Sequence, residues 1–449
     1  MNKKQIKEMA DICIKTLSNQ SDLSSKGISN ALIESCEIYQ LPNDQFYCKY
    51  GQIDENEIKK ILLEVLDNEK NLKNMDIQKL HHAVMWRFNI VAYEKEAFNK
   101  NIKENVIPVY NGSICIVKNQ IKFNEELHVT PYRLPVKYDP KAPTPTHFLK
   151  WINELFMPED IKGFQEFMGY CLVPTTKAQK MLLVMGNGRE GKSIIGQVLK
   201  ELLGDAWVDT DVHDIAENRF TLSTLDYKLV AYQDDTDGRP MKYTANFKKL
   251  VTNNGRIMVE RKGIDKYESI IFTKVIACSN HSLSALSDDS DGFFRRIYPI
   301  KVKPRPNNRV EIKGYAEPII KELEGILNWC LEGLIRLQKN DYEFTQSQRS
   351  IHIISDMESD ANNIEMFINE RLEIGSNNQL STREIYDAYC QYCVDYGYNG
   401  KDRQSHTKLT QYLRNNAERL NIQYKRNNEG SRFIGIKIKN IENNLEGVI

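Results

Sequence analysis

The chain has 449 residues, 41% hydrophobic and 27% charged, the make-up of an ordinary globular protein with room for about three domains. Its 61 lysines and arginines balance 61 aspartates and glutamates, so no global charge announces nucleic acid and any basic surface must be local. The N-terminus carries no apolar leader and no apolar run reaches membrane-spanning length, so the expectation is a cytoplasmic protein with no membrane contact.

Residues 1–105 are expected to be mostly helical. Ile58, Ile61, Leu62 and Val65 recur at helical spacing, as do Leu80, Val84 and Phe88. His81 and His82 have no acidic or cysteine cluster beside them and read as solvated or packed histidines. Residues 106–177 read as β-rich and then helical, with a hairpin signal at Asn111-Gly112 and a proline-rich link from Asp139 to Phe148. The nine cysteines lack metal spacing. Cys390 and Cys393 make one C-x-x-C with no second pair, on the apolar face of an expected helix, and read as packing thiols in a reducing compartment.

An apolar run, Met181 to Met185, leads into Gly186-Asn187-Gly188-Arg189-Glu190-Gly191-Lys192-Ser193, followed by an amphipathic run from Ile194 to Leu203. Strand, glycine turn and helix are the context of the phosphate-binding pattern G-x-x-x-x-G-K-[ST]. The glycines let backbone N–H groups converge on phosphate oxygens, and the helix N-terminus adds partial positive charge. Lys192 would reach the β- and γ-phosphates, and the Ser193 hydroxyl would ligate Mg²⁺, so ATP and Mg²⁺ are the expected ligands.

About 40 residues on, an apolar strand ends in Asp234 and Asp235. A P-loop needs such a carboxylate pair, one for Mg²⁺ and one for the attacking water. Asp234 is assigned chiefly to the metal and Asp235 chiefly to water, with the reverse order open. A third apolar strand, Phe272 to Ser279, ends in Asn280, an amide suited to holding that water. Arg295 and Arg296 follow an acidic turn, and one of them could reach a neighbouring subunit's γ-phosphate in trans. Between these strands, Gly255 to Lys274 alternates on two arms around Gly263 and clusters Arg261, Lys262 and Lys266 at its tip. In a ring, that hairpin would present cations to a nucleic-acid backbone in the channel.

The core so defined spans residues 178–305. Residues 306–350 should form a helical extension, with one long helix from Pro318 to Lys339, and a polar linker. Residues 351–449 read as helix, helix and hairpin. Ser381 to Glu384 is a capping box, and Ile385, Ala388, Tyr389, Tyr392, Cys393 and Tyr396 form a stripe. A second helix has an apolar face at Leu409, Tyr412 and Leu413 and a polar face at Lys408, Gln411 and Asn415, with Arg414 beside it. A turn near Asn427 to Gly430 follows Lys425 and Arg426. Ten lysines and arginines face three acidic residues between Lys401 and Lys439. A winged helix that grips duplex DNA fits this region, with Lys408, Gln411, Arg414, Lys425 and Arg426 as its contacts.

In this order and spacing the pieces resemble the superfamily 3 helicases, an AAA+ branch, and especially the phage/plasmid primase-helicase family, related to poxvirus-type primase-helicases. NGSICI, LPVKYDPKAPTPTHFLKWINELF and FQEFMGYCL resemble that family's pre-helicase region. GNGREGKS, LVAYQDD, NFKKLVTNNGRI, VIACSNH and DGFFRRIYPI resemble its helicase motifs, and ELEGILNWCLEGLIRL, ESDANNIEMFI and STREIYDAYCQYC its C-terminal parts. The resemblance implies an α/β AAA+ P-loop core, a homo-hexamer, 3′ to 5′ unwinding driven by ATP, and a replication role in a mobile element. It also makes Lys248 an interface lysine. The chain departs from the family at Thr252 to Arg256, where T-G-G-D is frequent, and in carrying Asp-Asp where many relatives have Glu. The first hundred residues are too short for a primase domain, so priming is not expected of this polypeptide, and whether a separate primase or polymerase partners it stays open. The competing readings are an origin-binding ATP switch that melts DNA only locally and a non-DNA AAA+ remodelling ATPase.

Overall fold

A computed structural model describes residues 1–20, 22–40, 46–69, 72, 75–90, 102–236, 241, 244–252, 256–280, 291–305, 314–361, 363–396, 398, 403–427 and 430–439. Its residues divide into two compact units. One takes Met1–Gly238, Thr244–Ser282 and Arg295–Ile351; the other takes Arg239–Tyr243, Leu283–Phe294 and His352–Ile449.

The first unit opens with helices α1 (Lys3–Ser18) and α2 (Ser25–Ser35), a small antiparallel sheet of β1 (Tyr39–Gln40), β2 (Phe46–Cys48) and β3 (Gly51–Ile53), and helices α3 (Glu55–Asn68) and α4 (Ile77–Ile90). Capping boxes start α1 at Asn2 and α3 at Asp54, and Ile58, Ile61, Leu62, Val65, Leu80 and Val84 enter one apolar core. The helical reading omitted the three strands, because segments of two or three residues are too short to show alternation. An antiparallel meander follows: β4 (Val106–Val109), β5 (Gly112–Val117) and β6 (Gln120–Asn124). Asn111 fixes its first turn by exchanging hydrogen bonds with the Tyr138 backbone.

Helices α5 (Thr146–Leu155) and α6 (Pro158–Tyr170) lead to β7 (Met181–Met185), α7 (Ser193–Leu203), β8 (Trp207–Asp209), α8 (Val212–Glu217) and β9 (Val230–Thr236). After α9 (Ala245–Thr252) comes the hairpin of β10 (Arg256–Arg261) and β11 (Ile264–Ile270), then β12 (Lys274–Ser279) and β13 (Ile297–Lys301). Five of these strands form one parallel sheet in the order β13-β7-β12-β9-β8. Numbered by chain order within the sheet, that is 5-1-4-3-2. β12 is buried along its whole length and β7 from Met181 to Val184, as central strands of a covered parallel sheet must be.

Helices α10 (Ala316–Ile320) and α11 (Leu323–Lys339) close this unit. The single helix expected from Pro318 to Lys339 is broken at Lys321-Glu322. There the Glu322 carboxylate accepts the backbone N–H groups of His147 and Phe148, at 3.1 and 3.0 Å, and so caps α5, which has no side-chain cap of its own. α11 packs on α6 at glycine positions. A Cβ at Gly169 would lie 2.4 Å from the Cys330 carbonyl, and one at Gly333 2.3 Å from the Gln165 carbonyl.

The second unit contains the remainder of α12 (Gln348–Ala361), then α13 (Asn363–Arg371), β14 (Leu372–Ser381), α14 (Thr382–Asp395), α15 (His406–Asn415), β15 (Gln423–Asn427) and β16 (Gly430–Ile438). Its antiparallel sheet runs β14-β16-β15. The helix–helix–hairpin reading lacked β14, whose sequence LEIGSNNQLS shows no apolar alternation. Pairing with β16 creates this strand. Phe367, Ile385, Tyr389, Tyr392, Cys393, Leu409, Leu413 and Phe433 share the unit's core, whereas Tyr396 is exposed.

Candidate nucleotide site and basic surfaces

The loop of residues 186–193 lies at the C-terminal end of β7, the edge at which parallel α/β sheets bind ligands. Backbone demands explain its composition. Gly188 and Gly191 have φ of 101° and 98°, and Arg189 takes the left-handed region at 63°. A Cβ on Gly186 would sit 2.6 Å from Lys192 Nζ. Lys192 precedes α7 and is buried; Ser193 opens the helix and is exposed.

Lys192 Nζ donates to Glu190 Oε2 at 2.9 Å and to Asn280 Oδ1 at 3.1 Å. The Glu190 carboxylate also accepts the backbone N–H groups of Asn187 and, at 3.0 Å, of Gly188. Burial pulls the Glu190 carboxyl upward, but the hydrogen bonds from Lys192 and the Asn187 backbone outweigh it and hold the group below the usual carboxylate range. The loop thus presents convergent N–H donors and an ammonium to an anion, the donor set that a nucleotide's phosphates require. Arg189 is exposed at its rim.

Asn280 follows β12, which lies between β7 and β9, so strand order brings it to the phosphate loop. The acidic pair is on the other side of β12. The register there slips, with Ala277 opposite Gln233 and Ser279 opposite Thr236, leaving Asp234 and Asp235 together across from Cys278. A bulge of this kind re-aims side chains at a strand end. Both aspartates are exposed. Tyr232 Oη donates to Asp234 Oδ1 at 2.9 Å, and a Cβ on Gly196 of α7 would lie 2.4 Å from the same tyrosine ring. Asp234 is therefore held on the sheet face covered by α7, the helix that Ser193 begins. Sequence inspection gave no sign of Tyr232 as its support; the i, i+2 spacing on a strand was the available signal.

Arg295 and Arg296 lie elsewhere. They precede β13, and the Arg296 carbonyl accepts Met181 N–H at the start of β7. The loop is at the other end of that strand, roughly 16 Å away at about 3.3 Å per residue. The fold keeps both arginines from their own chain's Lys192. Arg295 is exposed and Arg296 half-buried. Lys248 is half-buried on α9.

In the hairpin, Arg261 and Lys262 are exposed beside Gly263, whose φ is 81°. Lys266 is exposed as well; its ammonium pairs with Glu260 Oε1 at 2.6 Å, and Arg219 pairs with the other Glu260 oxygen at 3.3 Å. The hairpin's base is anchored by a buried carboxylate. Tyr267 Oη and Ser269 Oγ, on β11, donate to the two oxygens of Asp226 at 2.6 and 2.5 Å. Residues 253–255 and the acidic turn at 287–290 lie outside the described residues.

In the second unit Lys408, Gln411, Arg414, Lys425 and Arg426 are all exposed. The Arg414 guanidinium sits 4.7 Å from the Tyr424 ring centroid, so the exposed face of α15 and strand β15 are neighbours. Asn428 and Glu429, within the expected turn, lie outside the described residues. Among the described residues no helix is long and apolar enough to cross a membrane.

Fold and loop define a mixed α/β protein with a parallel five-stranded sheet compatible with a P-loop-like core. The model of a family of unknown function (DUF5906) matches residues 184–296, less than half of the chain. No curated protein matches. Among solved structures, the chain is similar to the apo structure of the NrS-1 C-terminal region (305–718), with a TM-score of 0.52 at 12% identity, covering 93% of this chain and 100% of that one. A second, A-form apo structure of that region gives 0.49 at 13% identity, over 90% and 97%. At such identities the likeness at 0.52 is one of fold.

Proposed function

We propose that this chain is an ATP-driven DNA helicase of the superfamily 3, AAA+ type, acting as a hexameric ring in the replication of a mobile element. One observation carries the reading: Lys192, Asn280 and the Asp234-Asp235 pair stand at the same edge of adjacent strands in a parallel sheet ordered 5-1-4-3-2. This is the arrangement that nucleotide hydrolysis needs.

Lys192 and the 186–191 backbone would hold the β- and γ-phosphates, and Ser193 with Asp234 would hold Mg²⁺. The metal supplies charge neutralisation on the phosphate oxygens. Asp235 and Asn280 orient and polarise the attacking water. Arg295, exposed and remote from its own chain's loop, is suited to complete a neighbour's site, which favours a ring over a monomer. Arg261, Lys262 and Lys266 would bear on one DNA strand along which the ring moves 3′ to 5′, with the Asp226 anchor passing movement of the core to the hairpin. The order helix, strand, two helices and two strands in the second unit suits a winged helix, with α15 in the major groove of duplex DNA.

The test is purified protein assayed for ATP hydrolysis and strand displacement on a forked duplex, with electron microscopy of the same sample. DNA-stimulated hydrolysis, displacement and a six-membered ring are the expected results. Origin binding without displacement would leave the local-melting switch; hydrolysis indifferent to DNA would leave the remodelling ATPase.

A further inference from the structure

The Glu190 carboxylate is 3% exposed and takes three donors of the phosphate loop: the Asn187 and Gly188 backbone N–H groups and the Lys192 ammonium. An acidic side chain inside an anion cradle is unexpected, because the loop's partial positive field exists to hold a ligand's negative charge. Its burial, three donors and depressed pKa all state that it sits there as a charged group.

The geometry points to Glu190 as an internal competitor for the phosphate seat, the residue that sets nucleotide affinity and limits the loop to ligands carrying a diphosphate. This rests on the nucleotide reading above. Two anions cannot share donors this close, since like charges in a buried site repel and each would lose hydrogen bonds. A nucleotide must therefore expel the carboxylate from Lys192 and both N–H groups. A single phosphate can take over these contacts but reaches no further group that would offset the cost of displacing the carboxylate. A Mg²⁺-bound diphosphate replaces them and gains the Ser193 side as well. Glu190 is thus distinct from the other loop residues: it holds the cradle in shape, and its removal strengthens binding.

The experiment compares wild type, Glu190→Gln, Glu190→Asp and Lys192→Ala in the full chain, by calorimetric titration with Mg-ADP and with orthophosphate, plus thermal melting without ligand. Glutamine keeps the shape and one acceptor but loses the charge. Glu190→Gln should bind Mg-ADP about tenfold more tightly or better, the loss of one charge-assisted competitor. It should also gain measurable orthophosphate binding and melt no higher than wild type without ligand. Glu190→Asp, one methylene too short to reach all three donors, should fall between the two; it decides the matter if the glutamine variant does not fold. Equal or weaker Mg-ADP binding by folded Glu190 variants, with wild type binding and Lys192→Ala not, would overturn the competitor while leaving the nucleotide site standing. If wild type and every variant fail to bind Mg-ADP, the nucleotide reading falls with it.

Discussion

Lys192 Nζ donates to Asn280 Oδ1 across 3.1 Å, joining residues 88 apart in the sequence. The contact exists because β12 is inserted between β7 and β9, so the tip of one strand meets the loop of the next. Replacing Asn280 with alanine should reduce ATP hydrolysis by about 10²- to 10³-fold, the cost of removing one preorganised polar group at a reacting centre, with Mg-ADP binding retained. Lys192→Ala should lose both. Steady-state hydrolysis and calorimetric binding separate the two variants; loss of binding in Asn280→Ala would show a structural role.

Asp226 ties the hairpin to the core through Tyr267 and Ser269. Asp226→Ala leaves two hydroxyls without their acceptor and should lower stability by about 1–3 kcal/mol. Its specific signature is kinetic: oligonucleotide stimulation of hydrolysis should fall while the basal rate persists. A variant that keeps full stimulation would remove Asp226 from the coupling path.

Lys274 is fully buried, and burial lowers its pKa to about 7; Nζ donates to the Val173 and Phe272 carbonyls beside the Tyr170 ring. In the unfolded chain the group titrates near 10.4. Between about pH 7 and 10 the unfolded state therefore holds a proton that the folded state has released, and stability rises with pH through this window. Below it both states are protonated and the burial cost is complete. Buried thiols such as Cys171, raised to about 12, act in the opposite sense, so the comparison must be made between variants. Lys274→Met should show a smaller gain, or a larger loss, of urea resistance from pH 6.5 to 9.5 than wild type. Superimposable pH dependences would assign the lysine an ordinary pKa.

Gly169 marks the closest approach of α6 to α11, with its Cβ direction filled by the Cys330 carbonyl and the Leu334 backbone. Neither neighbour is a flexible side chain, so Gly169→Ala must separate the helices. A loss of about 1–3 kcal/mol is expected from overpacking, read as a lower melting temperature. An unchanged melting temperature would mean the helices slide freely.

Lys425 and Arg426 are exposed on β15, the strand whose Tyr424 meets Arg414 of α15. Their joint replacement by alanine should weaken duplex DNA binding roughly equally across sequences and reduce the salt slope by about two. Gln411→Ala should instead relax sequence preference. A salt slope unchanged by the double substitution would move the DNA to another face.

The turn at residues 186–193 was legible because its backbone demands are local. Gly188, Gly191 and Lys192 are demanded by backbone conformation and charge within eight residues, and the flanking periodicity names the strand and the helix. The hairpin at Gly263 and the capping box at Ser381 were legible for the same reason. Strand β14 was not, because its stability comes from β16, over fifty residues away, and polar residues show no period. Nor was the break at Glu322, whose carboxylate caps a helix that begins 176 residues earlier at Thr146.

Sequence by itself pointed to the candidate nucleotide residues and to most strands and helices of the core, since both follow from neighbours along the chain. Tertiary structure alone decided their relations: that Asn280 meets Lys192, that Tyr232 holds Asp234, that Lys266 is paired with Glu260, and that Arg295 and Arg296 stand at the far end of the sheet. It also decided that Glu190 faces into the cradle. The reason is physical: strand order and side-chain direction arise from long-range burial and hydrogen-bond satisfaction, and no local pattern encodes which distant group will complete them.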